Sequence, residues 1–131
     1  MSLGCRDYKL AVHGEELSVH SLTFGQLREA NRQRWQEVFA HTLDWTATDF
    51  GTALAGEIGE ACNILKKLRR GELSSQETSD AICSLGYELA DAVTYIDLLA
   101  QKHGIDLGQA VAHKFNMVSM RRSSTVFLSE V

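Results

Sequence analysis

The chain contains no proline among its 131 residues. The strongest breaker of helix interiors is therefore absent, and a helix runs as far as its caps allow. The cysteines are few and odd in number: Cys5, Cys62 and Cys83, with no CxxC spacing. That pattern argues against disulfide stapling and against a structural zinc site. Cys62 and Cys83 fall in helical patterns and read as small buried residues, which fits a reducing cytoplasm. No apolar run reaches membrane-spanning length, so no membrane association is expected. The N-terminus also lacks the pattern of a signal peptide. The net charge of -4 gives no reason to expect a nucleic-acid polymer as partner. A Gly-rich GK[ST] loop is missing, which argues against a P-loop enzyme. There is no linker, internal repeat or low-complexity segment. With 44% hydrophobic and 23% charged residues, the composition is that of one ordinary globular domain with its own core.

What the chain does have is helix punctuation. Thr23-x-x-Gln26 reads as a capping box opening a helix through about Ala40. Thr46 or Thr48 caps a second helix, from about Ala47 to Arg70. Gly71 stops it, and Lys66, Lys67, Arg69 and Arg70 occupy the last turns, where the helix dipole favours cations. Ser74-x-x-Glu77 is a further capping box. It opens a third helix to about His103, with Gly104 as its stop and a potential interruption at Gly86. Asp106-x-x-Gln109 starts a fourth helix through about Met120. Before these, Tyr8, Leu10 and Val12 alternate, as do Leu17 and Val19, across His13-Gly14-Glu15-Glu16; this predicts a short β-hairpin. Thr125–Leu128 either extends that hairpin or forms a mobile tail. The expected organisation is an N-terminal extension over 1–22, a helical domain over 23–122 and a C-terminal tail over 123–131. The fold class is all-α and four-helix bundle-like.

Two acidic pairs share one helical phase. Glu57-x-x-Glu60 and Glu88-x-x-Asp91 each place two carboxylates on one helix face. Leu54, Ile58, Ala61, Leu65 and Leu68 form an apolar stripe through the first helix, and Leu85, Leu89, Ala92, Ile96 and Leu99 form the same series in the second. Each acidic pair begins three residues after the first member of its stripe. If the stripes pack together, all four carboxylates line one edge of the contact. Converging carboxylates repel and are costly to desolvate unless a cation neutralises them. An all-oxygen set of this kind suits Mg²⁺, with Mn²⁺ as a substitute. Gly56 and Gly59 flank the first pair. Glycine is unfavourable inside a helix, and its presence predicts close approach of a ligand or another backbone.

On these residues the sequence resembles the MazG-like all-α nucleoside triphosphate pyrophosphohydrolases, a family marked by ExxE followed one helix later by ExxD. The resemblance spans roughly Phe24 to Arg122 and includes the downstream run Lys114-Phe115-Asn116. It implies a MazG-type helical bundle in which Glu57, Glu60, Glu88 and Asp91 bind Mg²⁺. Water attacks a nucleoside triphosphate substrate between the α- and β-phosphates, yielding a nucleoside monophosphate and pyrophosphate. Glu57 or Glu60 is the candidate base. Tyr95, one turn after Asp91, matches a tyrosine near the nucleotide. Lys114 and Asn116 match residues that approach phosphates or sugar. Arg121 or Arg122 adds a phosphate contact, and Asn63 with Lys66 and Lys67 borders the site. Base recognition draws on aromatics of the first helix and the following loop. Of Trp35, Phe39, His41 and Trp45, the loop residue Trp45 is the preferred base contact.

Leu43, Phe50, Val93 and Leu98 fall on other helix faces, so association into a homodimer or homotetramer is expected. Two other readings compete. A non-enzymatic helical interaction module would carry the same acids as a solvent-facing surface. A di-iron carboxylate bundle would need Glu-x-x-His motifs, and neither Glu57 nor Glu88 has a histidine three residues later.

Overall fold

The computed structural model describes residues 10–17, 19 and 21–129. The expectations for Cys5 and Tyr8 lie outside them. Among the described residues the chain is mostly helical. The α-helices are α1 (Phe24–Arg34), α2 (Ala47–Arg70), α3 (Ser75–Lys102) and α4 (Leu107–Arg121), preceded by a two-stranded hairpin of β1 (Leu10–Val12) and β2 (Glu15–Leu17). No described helix is long and apolar enough to cross a membrane.

The expected caps form. Thr23 and Gln26 exchange both capping-box bonds at the start of α1. Thr46 caps α2, completing its box with Asp49 rather than a Glu or Gln. Gly71 takes a left-handed conformation at φ 71°, which a side chain would disfavour, and closes α2. Ser74 and Glu77 pair reciprocally before α3, and Asp106 caps α4 through Gln109. Helix α3 passes through Gly86 without interruption. The first helix does not run as α to Ala40: Trp35–Phe39 forms a π-helical turn. The hairpin turns on two residues, His13 (φ 51°) and Gly14 (φ 82°), with Leu10 opposite Leu17. Two positive φ values in a two-residue loop match the right-handed strand twist.

The chain divides into two compact units. One holds the hairpin and Trp45–Ile96; the other holds Thr23–Asp44 and the chain from Asp97 onward. In the first unit Phe50 is buried at 1% exposure, with Ala61 and Ala92 also inside. The stripes do not seal along their length. Ile58, Leu65, Leu89 and Ile96 remain exposed, and Leu54, Leu68 and Leu85 are half-buried. Phe50 and Leu98, expected on outer faces, are core residues, whereas Val93 is exposed as expected.

The second unit is organised around a buried carboxylate. Asp97 is 1% exposed. Its Oδ2 accepts from Asn31 Nδ2 at 2.8 Å and from Gln101 Nε2 at 2.7 Å, and Arg28 Nε lies 4.0 Å from Oδ1. Gln101 also donates to the Arg28 carbonyl, and Arg28 donates to the Ile105 carbonyl. Asn31 is buried and accepts from Arg34. Among the described residues no buried side-chain nitrogen or oxygen lacks a partner, as a stable polar network requires.

The cysteines depart from expectation. Cys83 is half-buried and disulfide-bonded, and Cys62 is free and exposed. The absence of CxxC spacing bears on metal motifs, not on pairs distant in sequence, so the argument for a reducing compartment loses its premise.

Candidate metal centre

Three of the four acids of the sequence pattern come together in the first unit. Glu57 projects from α2, and Glu88 and Asp91 from α3; each offers one oxygen, and the three oxygens lie within 4.8 Å of one another. Glu60 lies one turn after Glu57 on the same face of α2, near enough to Glu88 to influence its titration. The helical phase explains the grouping. Residues three apart on α2 and on α3 share a face, and the two faces meet at Glu57 and Glu88. Glu57 and Glu88 are half-buried, while Glu60 and Asp91 are exposed.

This grouping perturbs titration. The Glu88 carboxyl is pushed above its ordinary range, first by its hydrogen bond with Glu57, then by partial burial and by the charges of Glu57 and Asp91; the bond with Glu60 opposes the shift. Converging acids of like charge hold a proton more tightly than an isolated one does. The same oxygens would suit a hard divalent cation, which favours carboxylates and retains water. The donor set therefore fits Mg²⁺ or Mn²⁺, with Glu57, Glu88 and Asp91 each able to supply a ligand oxygen.

An aromatic group lies in the same unit. Trp45, immediately before the α2 cap, stacks with Tyr95 at a centroid distance of 6.2 Å and an interplanar angle of 20°. It also meets the ring of buried Phe50 edge-on at 5.3 Å. Tyr95 follows Asp91 by one turn of α3, so one helix carries both an acid of the cluster and one face of the aromatic pair.

The other candidates are placed separately. Asn63, Lys66 and Lys67 are exposed on α2 beyond the acids. A side chain added at Gly56 or Gly59 would meet nothing within 4 Å, so no close approach among the described residues requires these glycines. Lys114, Asn116 and Arg121 lie on α4 in the second unit. Exposed Lys114 lines an open, largely apolar groove of about 660 Å³ with Phe115, Val118 and Arg122. Arg121 is exposed at the helix end. Both ends of the half-buried Asn116 amide pair with the backbone of Leu128. Trp35 and Phe39 are half-buried and pack ring to ring at 5.2 Å; His41 is exposed.

The Asp97 network was not anticipated. Its signal was a lone acid inside the apolar run Tyr95-Ile96-Asp97-Leu98-Leu99-Ala100, a position tolerated only when partners satisfy the charge. No family model, curated protein or solved structure matches the chain.

Proposed function

We propose that the protein is a Mg²⁺-dependent nucleoside triphosphate pyrophosphohydrolase of MazG type, converting (deoxy)nucleoside triphosphates to the monophosphate and pyrophosphate and so clearing the nucleotide pool. The observation that carries this reading is the convergence of Glu57, Glu88 and Asp91, whose oxygens lie within 4.8 Å of one another, with Glu60 on the same face of α2.

A triphosphate is strongly anionic and does not approach four carboxylates unaided. Glu57, Glu88 and Asp91 would hold the cation. When bound, Mg²⁺ neutralises charge between these acids and the phosphate oxygens. Glu60, or alternatively Glu57, accepts a proton from the attacking water as its oxygen bonds to the α-phosphorus. The bond from that phosphorus to the α–β bridging oxygen breaks, and pyrophosphate leaves with the electron pair. No serine or cysteine nucleophile is needed. Trp45 offers an aromatic surface to the base, and such stacking tolerates any base. Asn63 and Lys67, beyond the acids on α2, would be the polar groups of this unit available to the phosphates.

The reading includes self-association as a dimer or tetramer. Ile58 and Leu65 on α2, and Leu89, Val93 and Ile96 on α3, are spaced as helix faces and stay exposed; a second copy would remove this apolar surface from water. The cytoplasm, where nucleoside triphosphates are used, is the compartment this activity calls for.

The test is pyrophosphate release across the common ribo- and deoxynucleoside triphosphates plus dUTP, with and without Mg²⁺, beside Glu60→Gln. Metal-dependent release lost in the variant supports the reading. No release from any nucleotide, with no metal-dependent shift in melting temperature, would leave a non-enzymatic helical module.

A further inference from the structure

The groove on α4, about 660 Å³, has a regular construction. Residues four apart stack in rows along a helix. One row of the groove wall is Ala110, Lys114, Val118 and Arg122, and the next is Val111 and Phe115. Together they run for about 18 Å along the axis, a little over three turns. Val111, Phe115 and Val118 are exposed apolar side chains. Lys114 and Arg122 stand two turns apart on one flank, about 12 Å from each other along the axis. Neither makes an ion pair or a side-chain hydrogen bond among the described residues.

Shape and charge together narrow the occupant. The groove is open along its length, whereas a small-ligand site buries most of its ligand. Parallel rows with a trench between them are what a second helix packs into. A second α4 does not fit. Leu107–Arg121 contains no Asp or Glu, so two copies face to face would set Lys114 and Arg122 against like charges. Nor do the chain's other helices supply the missing acids. Glu29 is held by Arg32, Asp80 by Gln76, and Asp49 and Glu77 by their caps. Asp97 is held by Asn31 and Gln101, and the remaining acids of α2 and α3 lie in or beside the metal centre. Glu37 stays as a single acid in the short π-helical turn.

We propose that this groove docks an amphipathic helix of another protein, about three turns long, with an apolar stripe and acidic residues two turns apart on one flank. The stripe covers Val111, Phe115 and Val118, removing from water apolar surface that α4 leaves exposed. The acids pair with Lys114 and Arg122 and so fix the register and direction of the docked helix. Phe115 is the aromatic anchor between the rows. The docking stands apart from the metal centre, whose acids belong to the other unit.

The test uses the full chain and a helix-stapled peptide of about four turns. The peptide carries leucines spaced three and four apart, with glutamates two turns apart on one flank. A matched peptide has lysine at the glutamate positions. Fluorescence anisotropy reads the dissociation constants. The glutamate peptide is expected to bind about tenfold or more tightly than the lysine peptide, with a preference that shrinks as salt rises. Lys114→Glu combined with Arg122→Glu should reverse the preference. Both residues are exposed, so the reversal leaves the core untouched. Should that variant unfold, Lys114→Gln with Arg122→Gln is expected to abolish the preference instead. Phe115→Ala should weaken the glutamate peptide several-fold with circular dichroism unchanged. Equal binding of both peptides, binding of neither, or no response to the charge changes overturns the proposal. A lower mass of the charge-reversed variant by light scattering would also overturn it, giving the groove to a second copy. Binding of dodecanoate without binding of the peptide would overturn it in favour of a small anionic amphiphile.

Discussion

The carboxylate oxygens of Glu57 on α2 and Glu88 on α3 lie within 4.8 Å of each other, and this neighbour holds the Glu88 proton beyond the carboxyl's ordinary range. The folded chain therefore retains this proton to higher pH than the unfolded chain does. Its contribution to stability is complete below the ordinary value of 4.5 and is lost as pH rises through the window above it. Asp49 and Glu77 act with the opposite sign. Their bonds to Thr46 and Ser74 lower their titration, so the stability they add is present above their ordinary range and lost on acidification. We expect thermal melts in a chelator to show Glu88's contribution fading as pH rises above its ordinary value of 4.5. Millimolar Mg²⁺ or Mn²⁺ should restore stability at the upper end by replacing the proton. A metal-independent profile would argue against the centre.

Neutralising single acids should separate chemistry from folding. Glu60→Gln and Asp91→Asn are expected to lower turnover by about 10²-fold or more while circular dichroism is unchanged. Glu57→Gln should raise the melting temperature of the metal-free protein, because it removes one like charge beside Glu88, and should abolish the gain from Mg²⁺. Unfolding of Glu60→Gln would instead assign the acids a structural role.

Asp97 is the acid whose loss should unfold the protein. Asp97→Ala leaves the amides of Asn31 and Gln101 without their shared acceptor in a buried site, at an expected cost of about 3–5 kcal/mol. Asp97→Asn, which keeps an acceptor oxygen, should cost less. Urea unfolding with an unchanged slope and a lowered midpoint is the readout.

Leu89 and Phe50 test where the core lies. Phe50, at 1% exposure, is expected to cost about 3–5 kcal/mol on truncation to alanine. Leu89, at 48% exposure, should cost well under that within a single copy. Leu89→Arg is expected to reduce the mass found by light scattering if a second copy covers the α2–α3 face. An unchanged mass would leave that face uncovered.

Local physics made the helices legible. Capping side chains bond to backbone three residues away, so Thr23, Ser74 and Asp106 declare helix starts without any tertiary partner. Gly71 declares an end in the same way. The acidic grouping was legible too, because helical periodicity converts a spacing of three into a shared face, and the matching stripes set the two faces in phase. The π-helical turn at Trp35–Phe39 and the smooth passage of α3 through Gly86 were not legible, since small costs in hydrogen bonding or propensity are settled by surroundings the local pattern does not contain.

Residue types and spacings by themselves determined which side chains point together along each helix: Glu57 with Glu60, Glu88 with Asp91. Only the tertiary structure decided which of those faces meet, and which groups from distant segments find each other. It made Phe50 and Leu98 core residues and left Ile58 and Leu89 exposed, because burial depends on what packs opposite and not on hydrophobicity alone. It joined Asn31 to Asp97 across 66 residues and Asn116 to Leu128 across 12. Hydrogen bonds between distant segments leave no period in a sequence; they exist only once the chain has closed the loop between them.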